Sequence, residues 1–180
     1  MRRLQIFGFV GWLAALLVTG AGVADESAGV ERADQLRAGY LLNFVKFVEW
    51  PGGTVDRWTL CFVGGDGIRN AIVAAQTAKQ PGTSGVVVRV LEKDATLDGC
   101  QLLYVESEHS SGDRAFNTAG RSVLTVSDAR DFTQHGGVIE LFAEGNRLRF
   151  KINLDNARHA GLRISSSLLQ LASHVEETGR

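Results

Sequence analysis

Four groups of residues carry side chains able to do chemistry or recognition. The first is Gly64-Gly65-Asp66-Gly67, which follows a strand-like run and opens a helical pattern. Backbone N–H groups at such a helix start can hold an anion. The run lacks the complete dinucleotide fingerprint and the Lys-Ser/Thr pair of a nucleoside-triphosphate loop, so a tight turn is the simpler expectation. The second group is His109, His135, His159 and His174. None stands four residues from another on a helix and none neighbours a cysteine, so no metal site assembles locally, and each is expected at the surface. Glu108-His109-Ser110-Ser111 supplies acid, imidazole and hydroxyl, but loop neighbours rarely face one another productively, and no nucleophile elbow is present. No catalytic residue, metal ligand or cofactor is assigned on these grounds, and a hydrolase ranks third among the function classes.

The third group is aromatic. Phe44, Phe47, Trp50 and Trp58 crowd one region, and one helical stripe cannot bury them all. Phe47 falls off the main apolar face. Most of the group belongs to a core, and an exposed remainder of Phe47, Trp50 and Trp58 would be a protein-binding patch, since tryptophan and phenylalanine are enriched in interface cores. The fourth group is the basic stripe Arg147, Arg149 and Lys151. Glu140 and Glu144 partly neutralise it. A solvated strand face is the ordinary reading; a docking strip for an acidic partner is the functional one.

The whole chain limits what these groups can serve. Its 180 residues are 44% hydrophobic and 22% charged, enough apolar surface for one folded domain. Nineteen Lys and Arg against twenty Asp and Glu leave a net charge of −1, which removes the basic excess expected of a nucleic-acid binder. Two cysteines are too few for a disulfide-knot scaffold or an all-cysteine zinc site.

The first 24 residues read as an address. Arg2-Arg3 begins them, an apolar run from Ile6 to Val18 follows, and Ala21-Gly22-Val23-Ala24 offers small residues for a cut after Ala24. This is the layout of a secretory signal peptide. The run is shorter than the ~20 residues of a comfortable span, so an uncleaved anchor is the weaker rival, and no cysteine near the cut invites a lipid anchor. The expected organisation is a cleaved signal peptide at 1–24 and one domain at 25–180, exported to the periplasm if the source is Gram-negative. Cys61 and Cys100 then sit in an oxidising compartment, where a pair is more often a cystine than a metal site; two buried free thiols are the alternative.

Elements able to position these groups follow from periodicity. Asp25–Val30 is expected as a loose start. From Glu31 to Glu49, Ala33, Leu36, Tyr40, Leu41, Phe44, Val45 and Val48 recur at helical steps, until Trp50-Pro51-Gly52-Gly53 stops the helix. Trp58–Val63, Val86–Leu91, Gln101–Val105 and Val123–Val126 read as strands. Asp66 is placed as the cap of a helix to about Thr77, and Asp113–Ala119 as a short helix. This rhythm predicts an α/β fold, a mainly parallel sheet flanked by helices, with its strand order left open. Gly145-Asn146 joins two strands into an antiparallel hairpin on the sheet. A two-residue loop pairs Glu144 with Arg147, Phe142 with Arg149 and Glu140 with Lys151, and sets Ala143, Leu141 and Ile139 opposite Leu148, Phe150 and Ile152. Asp155 is placed as the cap of a short helix ended by Gly161, Ser165–Ser167 precede a last amphipathic helix, and His174–Arg180 is expected to fray.

Several stretches together resemble one family. They are Ala38-Gly39-Tyr40-Leu41-Leu42-Asn43-Phe44-Val45-Lys46-Phe47-Val48-Glu49-Trp50-Pro51, Leu60-Cys61-Phe62-Val63-Gly64, Gly99-Cys100, Gly136-Gly137-Val138-Ile139, Arg149-Phe150-Lys151-Ile152-Asn153-Leu154, Ala160-Gly161-Leu162-Arg163-Ile164-Ser165 and Leu168-Leu169-Gln170-Leu171-Ala172. In this order they are similar to the YfiR-like periplasmic proteins. The resemblance implies an α/β fold and a disulfide between Cys61 and Cys100. It also implies a repressor of an inner-membrane diguanylate cyclase, acting on that enzyme's periplasmic sensor part. A homodimer, an outer-membrane lipoprotein that draws the repressor away, and redox or small-ligand inputs belong to the same implication. Some members carry a second cystine; the matching positions here are Thr133 and Glu140. The leading expectation is therefore an exported, non-enzymatic regulator of a membrane cyclase or sensor kinase, with no role in nucleic-acid binding. Its rival is a small-ligand binding or sensing module whose rim, at the carboxyl ends of the parallel strands, would include Gly64, Gly65, Asp66, Ser127 and Asp128.

Overall fold

The computed structural model describes residues 22–53, 57–92, 95–110, 118 and 120–177. Most of the expected signal peptide, and all but Thr118 of the helix expected at Asp113–Ala119, lie outside the described residues. Helix α1 (Gly22–Phe44) buries Ala38, Leu41 and Phe44. It differs from expectation at both ends. The segment Asp25–Val30 is helical rather than loose, because each residue added to an existing helix gains a hydrogen bond without a new nucleation cost. The C-terminal end falls at Phe44, where Lys46 N donates to Asn43 O (2.9 Å) and Phe47 N to Phe44 O (3.0 Å). Val48–Glu49 then forms strand β1, antiparallel to β8 (Arg163–Ile164). Pairing with β8 outweighs the helical periodicity of a segment that must in any case leave the helix before Pro51.

The main sheet contains β2 (Trp58–Val63), β3 (Val86–Val90), β4 (Leu102–Val105), β5 (Leu124–Ser127), β6 (Ile139–Glu144), β7 (Arg147–Asn153) and β9 (His174–Glu176). Their order is β3-β2-β4-β5-β6-β7-β9. The five strands from β3 to β6 run parallel, β7 returns antiparallel, and β9 lies parallel to β7. This is the α/β architecture expected. The hairpin register is the one the alternation dictated, from Glu144 opposite Arg147 to Ile139 opposite Ile152. Gly145 takes φ +57°, and Lys79 and Asp131 are the positive-φ non-glycine residues described; a positive φ at the first central position only makes the turn type II′.

The C-terminal segment departs from the expected fraying. Ser173 N donates to Phe150 O (2.9 Å), and β9 joins the edge of the sheet. Glu176 anchors it, accepting from Thr133 Oγ1 (3.2 Å) and Asn153 Nδ2 (3.2 Å). Two caps also differ. Gly65, at φ +69°, caps α2 (Asp66–Thr77), while Asp66 is its first residue and pairs with Arg69. Asn153, not Asp155, caps α3 (Leu154–His159) by accepting from Asn156 N (2.9 Å). Asn153 ends a strand in extended conformation, the geometry an N-cap requires. Helix α4 (Ser166–Leu171) is capped by Ser165, which accepts from Leu168 N (3.2 Å).

The two sheet faces are closed differently. One packs Leu60, Phe62, Leu102, Tyr104, Leu124, Leu141, Phe150 and Ile152 with α1, α2 and parts of α3 and α4. The other holds a smaller core of Cys61, Val63, Leu91, Leu97, Cys100, Leu103, Val105 and Val123. The chain between β3 and β4 must cross β2, and a helix usually makes such a crossing. Here the described part of the crossing segment, 91–92 and 95–101, holds no helix. The Cys61–Cys100 disulfide, with Cα atoms 5.8 Å apart, ties its end to β2. Arg89 holds its middle, donating to Asp98 O (2.9 Å), Thr96 O (3.1 Å) and Cys100 Sγ (2.8 Å).

Candidate functional site

With β3 and β4 on opposite sides of β2, the chain reverses its direction of travel across the sheet between β2 and β4. In open α/β sheets the crevice beyond the carboxyl ends of the strands at such a switch point is the usual ligand position. The residues expected to rim a site collect there. Gly64 and Gly65 take φ of +74° and +69°. A Cβ at Gly64 would strike the Glu106 carboxylate, and one at Gly65 would stand 2.9 Å from Tyr104 Cε1. From β5, Asp128 accepts from Ser107 N (2.9 Å) through Oδ1 and faces Arg37 Nη2 (3.7 Å) through Oδ2.

The contents of the crevice are the protein's own. Gly65 N, at the start of α2, donates to Glu106 Oε2 (3.0 Å), so a carboxylate of the chain already holds the position an anion would take. His109 Nδ1 lies 3.7 Å from that same oxygen. Asp34 sits over Gly67 and pairs with Arg37 (3.3 Å). Tyr104 is fully buried; burial, and then Asp128, whose carboxylate accepts its hydroxyl, push its pKa well above the ordinary tyrosine value. Ser127 is buried with its Oγ accepting from Ala129 N (3.0 Å), and Asp66 points outward to Arg69. The arrangement is a polar plug, paired internally through Glu106, Asp128 and Asp34, with Arg37 Nε and His109 Nδ1 the atoms left without a hydrogen bond among its described residues.

Glu106, Tyr104, Arg37 and Asp34 form most of this plug, and sequence reasoning did not single them out. Glu106 carried a usable signal, since it directly follows a parallel strand, where side chains reach the crevice. Arg37 and Asp34 carried none, because which flank of α1 meets the strand ends depends on packing.

The expected interaction residues fall in two places. Trp50 and Trp58 pack ring to ring, centroids 4.9 Å apart, and both are half-buried; Phe47 is 36% exposed. The basic stripe lies on β7, with three strands between it and β2, roughly 19 Å at normal strand spacing. Trp58 is on the sheet face that α1 covers, whereas the stripe is on the opposite face. Arg149 pairs with Glu144 (3.3 Å) and Lys151 with Glu140 (2.9 Å), leaving Arg147 the most open of the three. The six residues are thus two separate patches, one aromatic and one largely neutralised.

Among the described residues no group of three or more His, Cys, Asp or Glu could hold a metal ion, and no helix is long and apolar enough to cross a membrane.

The fold is similar to the crystal structure of a conserved domain protein from Vibrio cholerae O1 biovar El Tor, at 9% identity and a TM-score of 0.48. That alignment covers 79% of this chain and 60% of the other, so this chain spans less than two thirds of that structure's length. A family model described as YfiR/HmsC-like matches residues 34–173, from the fourth turn of α1 to the residue before β9, and takes in both cysteines, the strand-end plug and the hairpin. On that match, over more than half of its length, the chain belongs to the YfiR/HmsC-like family.

Proposed function

We propose that this protein is an exported, non-enzymatic regulator that binds the periplasmic sensor region of an inner-membrane signalling protein, a diguanylate cyclase in the first instance and a sensor kinase otherwise. The observation that carries this reading is the family match across residues 34–173. The Cys61–Cys100 bridge fits an oxidising compartment, in keeping with a signal peptide at 1–24 and a mature domain at 25–180. The plug favours docking over ligand capture, since Glu106 already accepts from Gly65 N at the helix start where an anionic metabolite would bind. An outer-membrane lipoprotein that sequesters the regulator, and a homodimer, fit the same scheme.

The mechanism is a shift of populations. A regulator that binds the inactive sensor conformation more tightly than the active one lowers output in proportion to that difference, without touching the cytoplasmic active site. A tenfold preference corresponds to about 1.4 kcal/mol. The test is deletion of the gene with cyclic-di-GMP measured in cell extracts, and pull-down of tagged protein from solubilised membranes. Cyclic-di-GMP should rise on deletion and fall again on complementation, with a cyclase recovered in the pull-down. An unchanged level together with no cyclase recovered would refute the reading.

A further inference from the structure

Helices α1 and α2 run side by side in the same direction: Asp34 of α1 sits over Gly67 near the start of α2, and Lys46, just beyond α1, reaches Gly82, just beyond α2. Between them lies an open cleft of about 1080 Å³. Its α2 wall is built from small residues, with Ala74 and Ala78 exposed and Ala71 and Ala75 half-buried. A third helix can therefore bring its backbone close. Among the described residues the lining includes two carboxylates, Glu31 and Asp34, and no Lys or Arg. Asp34 is met by Arg37 of its own helix, whereas exposed Glu31 has the Gln35 amide at 3.3 Å. The acidic end coincides with the N-terminal ends of the cleft as α2 begins, where α1 extends past α2 and leaves Val30 59% exposed.

We propose that this cleft docks one amphipathic helix of a protein partner, lying antiparallel to α1 and α2, with small or apolar residues on the alanine wall and Lys or Arg in its last turn against Glu31 and Asp34. The antiparallel direction is set by two charges at once. It opposes the partner's helix dipole to those of α1 and α2, and it brings basic residues both to their favoured C-terminal position and to the acidic end of the cleft. α2, at 12 residues, is about 18 Å long, enough wall for three turns. The identity of the partner as a membrane signalling protein rests on the function proposed above; the cleft's preference for a cationic helix does not.

Two arms separate these statements. In the first, purified protein is titrated at low salt with a labelled, stapled helical peptide carrying an Ala/Leu seam and two C-terminal lysines, and with the same peptide bearing glutamates instead. The cationic peptide should bind about tenfold more tightly, the scale of a few exposed ion pairs gained against the same number repelled. Glu31→Lys should erase that preference without affecting the fold, and Ala74→Trp should abolish binding. Absence of saturable binding, equal binding of the two peptides, or binding that survives Ala74→Trp would overturn the proposal. So would a concentration-dependent dimer that Ala74→Trp converts to monomer, because a second copy would then be the occupant. In the second arm, the deletion strain is complemented with Glu31→Lys or with Val73→Lys, an exposed α2 position outside the cleft lining. Loss of repression by the first and retention by the second is expected. A deletion without effect on cyclic-di-GMP would count against the functional reading, leaving the peptide arm to decide on the cleft.

Discussion

Replacing both cysteines with alanine should destabilise the oxidised protein by about 4 kcal/mol. The bridge joins positions 39 apart. Chain entropy assigns a loop of that size roughly 13 cal/mol/K in the unfolded state, or about 4 kcal/mol at room temperature. Alanine is the informative substitution because Cys61 is fully buried and Cys100 nearly so; serine would add the cost of an unpaired buried hydroxyl. For a domain of this size each kcal/mol moves the melting temperature by about 2–4 °C, so a fall of about 8–16 °C is expected. Calorimetry of the wild type and the double variant, both without reductant, measures it, and reductant should bring the wild type down to the variant. Location matters as much as size. Leu91 N donates to Phe62 O and Gln101 N to Thr59 O, bonds that hold the crossing segment to β2. Their amides should exchange faster in the variant, while those within the hairpin keep their protection until global unfolding. An unchanged melting temperature, or loss of protection uniform across the sheet, would refute the idea that the bridge replaces a crossover helix.

Other changes follow from single contacts. Gly145→Ala should cost about 1–2 kcal/mol, since its φ of +57° is left-handed backbone in a turn whose register fixes both hairpin faces; thermal denaturation measures it. Lys151→Ala removes the partner of Glu140, whose carboxylate is buried with Oε1 facing Lys151 and Oε2 without a hydrogen bond among the described residues. Because Lys151 itself is partly open, the expected loss is about 2–3 kcal/mol, below that for a fully buried pair, and Glu140→Met/Lys151→Met should be the more stable of the two variants in urea titration. Tyr104, with its pKa raised, should stay protonated in the folded state beyond pH 10, where an unfolded tyrosine ionises. The unfolded state then releases a proton that the native state keeps, so stability falls as pH rises above about 10. Absorbance at 295 nm should match between the wild type and Tyr104→Phe at pH 11 while the fold persists, and early tyrosinate from Tyr104 would contradict the burial argument.

The parallel strands and the hairpin were legible because their signals are local. Period-two alternation gives Ile139–Ile152 its faces, and any slip in register exposes them. The ends of α1 and the fate of His174–Glu176 were not legible because distant partners decide them. Val48 pairs with Ile164, and Val175 finds Ile152, neither of which a short window can see. The plug was half legible for the same reason. Gly64, Gly65, Ser127 and Asp128 follow from the rule that strand ends converge, but the carboxylate that fills the space between them, Glu106, becomes visible only once β2 and β4 are known to be neighbours.

The two positions at which the family resemblance places a second cystine show what can stand in for a covalent tie. Thr133 is buried and donates to Glu176 of β9, while its carbonyl accepts from Asn153 (3.3 Å) and Asn156 (2.8 Å). Glu140 pairs across the hairpin with Lys151. Here the loop and β6 are held by two polar contacts that reach different strands. Such contacts contribute about 1 kcal/mol each rather than the several of a disulfide, but they are indifferent to thiol–disulfide exchange. Thr133→Val should therefore loosen β9 selectively: amide exchange at Val175 and Glu176 should speed up while β2 to β5 are unchanged. If protection fell equally along the whole sheet, Thr133 would be part of the common core and not a clamp on its edge.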